Sequence, residues 1–353
     1  MTILHRYIAK TVILASLIVI LAVLGVVFLV GLLSEMRDMG VGDYGFSQVV
    51  IHVLMKIPHD LYLFFPMLLL IGGVLGLGML STHHELIVMR SSGVSIKKVI
   101  SAVITAAVIL IIFATIMGEC IAPRALFLAD KRKETAESNG QAVATATGLW
   151  VHVGNNFLHV DHVIGHNHLE GVKRYEFDGQ HHLLAAYFVK SMDYQHGTWQ
   201  LHEGVKTTLG NDLVHSQGFA DGRWNLAVNP SLLDIGLVEP EELSLPDLTK
   251  YSHYLLQNGL QANRFQFEFW KRVFQPLTTI VMILLAVPFV FGAPRSTTMG
   301  RRILFGVMMG FVFYILNAFL GQFSIVFQIS PVLAALLPTL LFAGLGYFFM
   351  ARL

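Results

Sequence analysis

The chain has 353 residues, 54% of them hydrophobic and 13% charged, with a mean hydropathy of +0.63. That is too apolar for a soluble globular protein and too long for a single membrane anchor, so composition predicts a polytopic membrane protein. A formal net charge of +1 supplies no concentrated basic face for nucleic acid, and the single cysteine, Cys120, excludes an intrachain disulfide.

Arg6 and Lys10 precede an apolar run from Val12 to Leu33. The run is longer than a signal-peptide core, and Leu33-Ser34-Glu35-Met36 is a poor cleavage site, which predicts a retained first span. Five more spans follow by hydropathy, at Val49 to Leu80, Val99 to Ala122, Val273 to Phe291, Ile303 to Phe327 and Val332 to Met350. The second carries Pro58 and Pro66, then Gly72, Gly73, Gly76 and Gly78, which predicts kinks and close helix packing. Between the second and third spans, Ser81 to Lys98 forms a polar island with an amphipathic segment, a Ser91-Ser92-Gly93 stop and the pair Lys97-Lys98. It reads as a short helix outside the bilayer at about 82–92, with Leu86, Ile87 and Met89 on one side and His83, His84, Glu85 and Arg90 on the other.

Lys and Arg in the short connections set the orientation. Arg6, Lys10, Arg90, Lys97, Lys98, Arg295, Arg301, Arg302 and Arg352 fall on one side of a six-span chain, against Arg37 in the opposite short loops. Both termini are therefore expected in the cytosol, and the long connection from Lys131 to Asn263 on the far side.

That connection is polar and rich in histidine and glycine. Short alternating runs (Leu149 to Val153, Phe157 to Val160, Leu169 to Phe177, Leu183 to Tyr194, Thr198 to His202, Val205 to Leu209) are separated by turn signals such as Gly154-Asn155-Asn156, Asp178-Gly179, His196-Gly197, Gly210-Asn211-Asp212 and Asp221-Gly222. This predicts an antiparallel β sandwich or jelly roll. Ser231 to Pro246 is an acidic, proline-bearing linker. A helix from Asp247, with Leu248, Tyr251, Leu255 and Leu256 on one face and Gly259 as its stop, leads back to the membrane. The predicted fold class is thus a mainly α membrane protein with an inserted all-β domain. Residues 1–130 hold three spans and the polar-island helix, 131–262 the β domain and linker helix, and 263–353 three more spans. The two halves show no similarity that would support an inverted repeat.

No GxxxxGK[ST] loop and no cytosolic domain is present to hold a nucleotide, so any powered mechanism needs an external ATPase. An intramembrane enzyme would need a nucleophile and base, or a metal set, at membrane depth, and no such motif occurs; no catalytic residue and no cofactor is expected. Histidines cluster in the β domain at His159, Asp161 and His162, at His166 and His168, and at His181-His182. His-x-His on a strand places two ligands on one face, but nothing fixes a third, so no metal site is expected. Glu35 and Glu119, at the ends of apolar runs, are expected in hydrogen-bonded structural roles rather than a proton relay.

Several stretches in this order, on this topology, resemble the permease subunits of the lipopolysaccharide exporter, the LptF/LptG family. They are Tyr44-Gly45; Ile57-Pro58-His59-Asp60 with Phe64-Phe65-Pro66; Gly76 to Leu80 with Glu85 to Met89; Gly118-Glu119 with Ala122-Pro123; Phe269 to Arg272; Pro276-Leu277; Pro288-Phe289; and Arg295 to Ile303. The resemblance runs from the first span to the last and is weakest in the β domain. It implies a subunit of an ABC exporter in a Gram-negative inner membrane, with a periplasmic jelly roll. Its implied partners are an LptF-like permease subunit, an LptB-like ATPase dimer and an LptC-like bitopic jelly-roll protein. Its implied work is to extract lipopolysaccharide from the outer leaflet and pass it to a periplasmic bridge.

The resemblance also assigns residues. A carboxylate at the start of a helix is commonly just a favourable charge against the helix dipole. The family pattern makes Glu85, with Leu86, Met89 and Arg90, the point where the ATPase docks. Arg37, Arg124, Lys131, Arg132 and Lys133 lie at the far-side ends of the first and third spans, where anchoring to headgroups is the ordinary explanation. Arg37 and Lys133 match family positions that meet lipid A phosphates, whereas Asp38 and Asp130 stand where the family pattern can be basic. In the fifth span Phe305, Met309, Phe313 and Leu316 are expected in the lipid cavity wall or lateral gate by the same analogy, against lipid-facing or bundle-core surface as the plain reading. A rival from another class is an envelope scaffold or receptor whose β domain binds partners by strand addition.

Overall fold

Hydrocarbon leaves every backbone polar group to be satisfied internally, so long apolar runs become helices. In the computed structural model, six helical segments among the described residues are long and apolar enough to cross a membrane: Ile3–Glu35, Phe46–Thr82, Ile96–Glu137, Asn263–Phe291, Met299–Phe327 and Pro331–Met350. The structure describes residues 3–137, 149–153, 156–164, 167–180, 182–195, 197–210, 213–224, 239–291 and 298–352. Within the first half the helices are α1 (Ile3–Glu35), α2 (Phe46–Thr82), the short α3 (Glu85–Ser91), α4 (Ile96–Ile116) and α5 (Ala122–Glu137). The second half holds α6 (Leu245–Gln257), α7 (Asn263–Phe291), α8 (Met299–Phe327) and α9 (Pro331–Met350). Among the expected features, Gly154, Asn155, His166, His181, His196, Asn211, Asp212, Arg295 and residues 231–238 of the linker lie outside the described residues.

The chain divides into two compact units. Met1–Arg37, Phe46–Asp130 and Asn263–Leu353 form the membrane unit, and Asp38–Gly45 with Lys131–Ala262 forms the other. In the membrane unit the buried centre is made by Leu68, Leu69 and Leu70 of α2, Ala102, Val103 and Ala106 of α4, and Met282, Ile283 and Ala286 of α7. The glycines of α2 act at its contact with α1. A Cβ on Gly72 would stand 2.5 Å from the Ser16 Cα, and one on Gly76 would stand 2.9 Å from the Val12 Cα. Such small residues let two backbones approach where hydrocarbon offers no hydrophobic drive for association.

Pro58 and Pro66 lie inside α2 without ending it. Pro66 has no N–H, so the carbonyl of Tyr62, four residues earlier, loses its intrahelical donor. The Gln275 side chain of α7 donates to that carbonyl at 2.6 Å. Between α4 and α5 the helix widens into a π segment, Met117–Ile121, in which the Ala122 N–H reaches back to the Met117 carbonyl. Pro123 supplies the reason: it offers no N–H to the Glu119 carbonyl and its ring crowds that oxygen.

In the second unit six strands form one antiparallel sheet in the order β1 to β6: Leu149–Val153, Asn156–Ile164, His168–Phe177, Leu183–Gln195, Thr198–Leu209 and Val214–Trp224. The jelly roll expected from sequence is, among the described residues, a single meander of consecutive hairpins. Short turns allow each strand only its sequence neighbour, and the register follows, with Trp150 opposite His159 and Val172 opposite Val189. The two runs expected at Thr198 to His202 and Val205 to Leu209 are one strand, continuous through Glu203 at φ 49°. One face buries Leu158, Val160, Leu169, Val172, Val189 and Trp199, and Tyr254 of α6 packs on this core. Ser244 caps α6 by accepting from the Asp247 N–H, so the helix starts at Leu245, two residues earlier than expected, and Gly259 at φ 69° ends it.

Candidate functional site

Helix α3 runs from Glu85 to Ser91 and is closed at both ends by backbone geometry. His84 takes a left-handed φ of 61° at its start. At its end the Gly93 N–H donates to the Arg90 carbonyl and the Val94 N–H to the Met89 carbonyl, both at 3.0 Å. This double return needs a left-handed residue at Gly93, which has φ 86°, and explains the Ser-Ser-Gly stop.

Spacing decides which face turns inward. Leu86 and Met89 are three residues apart and share one side of the helix; Leu86 is 3% exposed and both belong to the packing of the membrane-unit core. Ile87 sits about 100° further round by helical geometry and is 54% exposed, with Val88 at 61%. The expected grouping of Ile87 with Leu86 and Met89 is therefore corrected. Leu86 and Met89 anchor the helix, and its outward apolar pair is Ile87 and Val88. Glu85 is half-buried and interacts with the Tyr7 hydroxyl of α1, and the Arg90 guanidinium lies 5.9 Å from the centre of the Phe291 ring of α7.

The five basic residues expected at the substrate end divide between the units. Arg37 and Arg124 belong to the membrane unit and are exposed; Lys131, Arg132 and Lys133 belong to the other, the first two exposed. Lys133 is engaged inside its own unit. Its Nζ donates to Asp38 Oδ2 at 2.6 Å, lies 3.9 Å from Glu137 Oε1, and sits 5.6 Å from the Tyr44 ring centre. The buried Tyr44 and the bond from the Asp43 N–H to the Ala136 carbonyl, at 2.8 Å, seat the 38–45 loop on the end of α5. Asp38, which departs from the family's basic pattern, is thus a partner of Lys133.

Glu119, at the centre of the π segment, is part of a buried polar cluster. Arg272 Nη1 of α7 donates to its Oε1 at 3.3 Å, and the Tyr62 hydroxyl of α2 donates to the same oxygen at 3.4 Å. Sequence reasoning placed Glu119 in a hydrogen-bonded role but had no means to name these partners. The arithmetic of Pro66 identifies the Tyr62 carbonyl as an acceptor in need, though not Gln275 as its donor.

On α8, Phe305 is exposed, Met309 and Leu316 are half-buried against the core, and Phe313 is buried in edge contact with Phe342 of α9, ring centres 5.2 Å apart. In the second unit His159, His168, His182 and His202 pair with carboxylates. His168 Nδ1 lies 2.7 Å from Asp193 Oδ1, and His202 bridges Asp193 and Asp221 at 3.1 and 3.3 Å. Hydrogen bonding to Asp193 holds the His168 imidazole above its ordinary 6.5, outweighing its burial. Its contribution to stability is complete below that ordinary value and fades as pH rises through the raised one. Among the described residues no three His, Cys, Asp or Glu side chains are placed to hold a metal ion.

The profile of the family described as "Lipopolysaccharide export system permease LptF/LptG" matches residues 6–352. The chain belongs to the LptF/LptG family. It is 32% identical over 354 residues to the lipopolysaccharide export system permease protein LptG of Escherichia coli (strain K12), covering 99% of this chain and 98% of the relative. It is likewise 32% identical over 351 residues to the LptG protein of Haemophilus influenzae, with the same coverage of 99% and 98%. This LptF/LptG-family permease is a multi-pass membrane protein whose helices carry an inserted antiparallel sheet.

Proposed function

We propose that this chain is a permease subunit for lipopolysaccharide export across the envelope of a Gram-negative bacterium, driven by a separate ATPase that grips α3 from the cytosol. The observation that carries the reading is the family match over residues 6–352, joined to a short helix that is rooted by Leu86 and leaves Ile87 and Val88 uncovered. Lys97 and Lys98 follow it, which favours the cytosolic side. In this reading Glu85 and Arg90 supply charge-assisted bonds to the ATPase, Ile87 and Val88 fill its groove, and Leu86 with Met89 passes the displacement to the bundle. The complex also holds a second, LptF-like permease and an LptC-like jelly-roll protein, with the β unit in the periplasm.

Glu85→Arg and the pair Ile87→Asp with Val88→Asp are each expected to weaken co-purification of the ATPase by about tenfold or more, the loss of one charged hydrogen bond or an apolar anchor. Hydrolysis would persist while export falls. Export at the normal rate in both variants would remove α3 from the coupling role.

Arg37 is the proposed contact to the substrate's phosphates, since Lys133 is already committed to Asp38. Arg124 of the membrane unit, and Lys131 and Arg132 of the other, are further proposed phosphate contacts, each within its own unit, and Phe305 with Met309 and Leu316 lines the acyl path, Phe313 packing on Phe342. Arg37→Glu is expected to lower lipopolysaccharide recovered with the purified complex while leaving its melting temperature unchanged. Lys133→Glu should lower both, because it also releases the 38–45 loop. An unaltered lipopolysaccharide content in Arg37→Glu would leave that residue a headgroup anchor.

A further inference from the structure

The first turn of helix α8 holds a buried cation with two nitrogens unpartnered among the described residues. Arg302 is 9% exposed, and its Nε and Nη1 are buried without a hydrogen-bond partner among the described residues. Arginine stays protonated in proteins, so it cannot escape burial by giving up its charge, and an unpaired buried charge is costly. Among the described residues nothing completes it, which leaves room for a bound anion.

The surroundings indicate which kind. Arg302 lies in the first turn of a membrane-spanning helix, where the backbone N–H groups favour an anion, and Thr298 at the cap makes no side-chain bond to them. Beside that turn there is room: a Cβ on Gly300 would meet nothing within 4 Å. Arg301, next in the chain, is exposed and adds a second positive charge. Three residues along from Arg302, on the same side of the helix, Phe305 is exposed, and Met309 follows at the next turn. A phosphate with acyl chains fits this succession, with its head at Arg302 and a chain lying along Phe305. A soluble carboxylate would use only the first part of it.

We infer that Arg302, with the uncapped first turn of α8, binds the phosphate of an anionic phospholipid at the end of the bundle that carries α3. The two features lie at the same end, since a Cβ on Gly78, near the close of α2, would meet Met299 Sδ at 2.8 Å. The head of this site is distinct from the proposed substrate cation Arg37, while Phe305 and Met309 are shared with the proposed acyl path, so lipid retention at Arg302 is read separately from export.

The test is native mass spectrometry of the full chain, purified with its partners in mild detergent and re-lipidated from vesicles of phosphatidylcholine with or without phosphatidylglycerol. The wild type is expected to keep phosphatidylglycerol through delipidation, Arg302→Gln to keep about tenfold less, as for the loss of a charged bond, and Arg301→Gln, which removes only the exposed second charge, to keep an amount between the two. Arg302→Lys should retain an intermediate amount and confirms folding if Arg302→Gln is poorly expressed. Equal retention by wild type and Arg302→Gln would overturn the proposal. Inorganic phosphate that displaces the lipid and restores the melting temperature in its place would overturn the headgroup as the source. A cross-link from position 302 to an acidic residue of the ATPase, with no lipid retained, would replace the lipid by a protein partner.

Discussion

Arg272→Ala is expected to unfold the membrane unit's middle or to destabilise it by about 3–5 kcal/mol, the usual cost of leaving a buried charge without its partner. Arg272 and Glu119 side chains are 5% and 15% exposed and lie 3.3 Å apart. Removing the guanidinium leaves the carboxylate without its charged partner, and the neutral Tyr62 hydroxyl at 3.4 Å does not replace that charge. By comparison, a neutral interhelical bond such as Thr278 to Thr339 is worth about 0.6 kcal/mol in a membrane protein, so the ion pair dominates. The double variant Arg272→Met with Glu119→Leu should recover most of the loss, since apolar residues of similar volume replace buried pairs at little cost. Melting curves of the purified chain in detergent measure both. Equal destabilisation by the single and double variants would mean that the cluster is held by packing and not by charge.

Gly72→Val is expected to abolish the folded chain, and Gly72→Ala to cost about 1–3 kcal/mol, the range for overpacking a close contact. The obstacle at Gly72 is main chain as well as side chain: the added carbon would stand 2.5 Å from the Ser16 Cα and 2.7 Å from its Cβ. Relief requires α1 to move away along its whole contact with α2, including the approach of Gly76 to Val12. Ser16→Gly should therefore rescue Gly72→Ala only in part. Full rescue, read as membrane-inserted yield and melting temperature, would show that the hydroxymethyl group alone set the distance.

How much of this was legible beforehand depends on the range of each interaction. Pro123 announces an interrupted helix, and Gly93 announces the end of α3, because both act on carbonyls four residues away or fewer. The one-residue difference between Leu86 and Ile87 was not legible. Seven residues of helix give too short a run for periodicity to choose a face, and the choice was made by the core against which α3 packs. The substrate-end cations show the same limit. Composition near the span ends marks Lys133 as basic, but its commitment to Asp38 is made across 95 positions of sequence.

The amino-acid sequence by itself determined that this protein has six spans, an inserted antiparallel sheet and a short polar helix between its second and third spans. Hydropathy, alternation and turn residues are properties of neighbours, and the solvent enforces them segment by segment. The tertiary structure alone decided which charges meet. Glu119 finds Arg272 across 153 positions and Tyr62 receives Gln275 across 213, while Arg302 Nε and Nη1 are buried without a hydrogen-bond partner among the described residues. Such pairings depend on which helices pack and at what depth, and a buried charge is satisfied or stranded only once that packing exists.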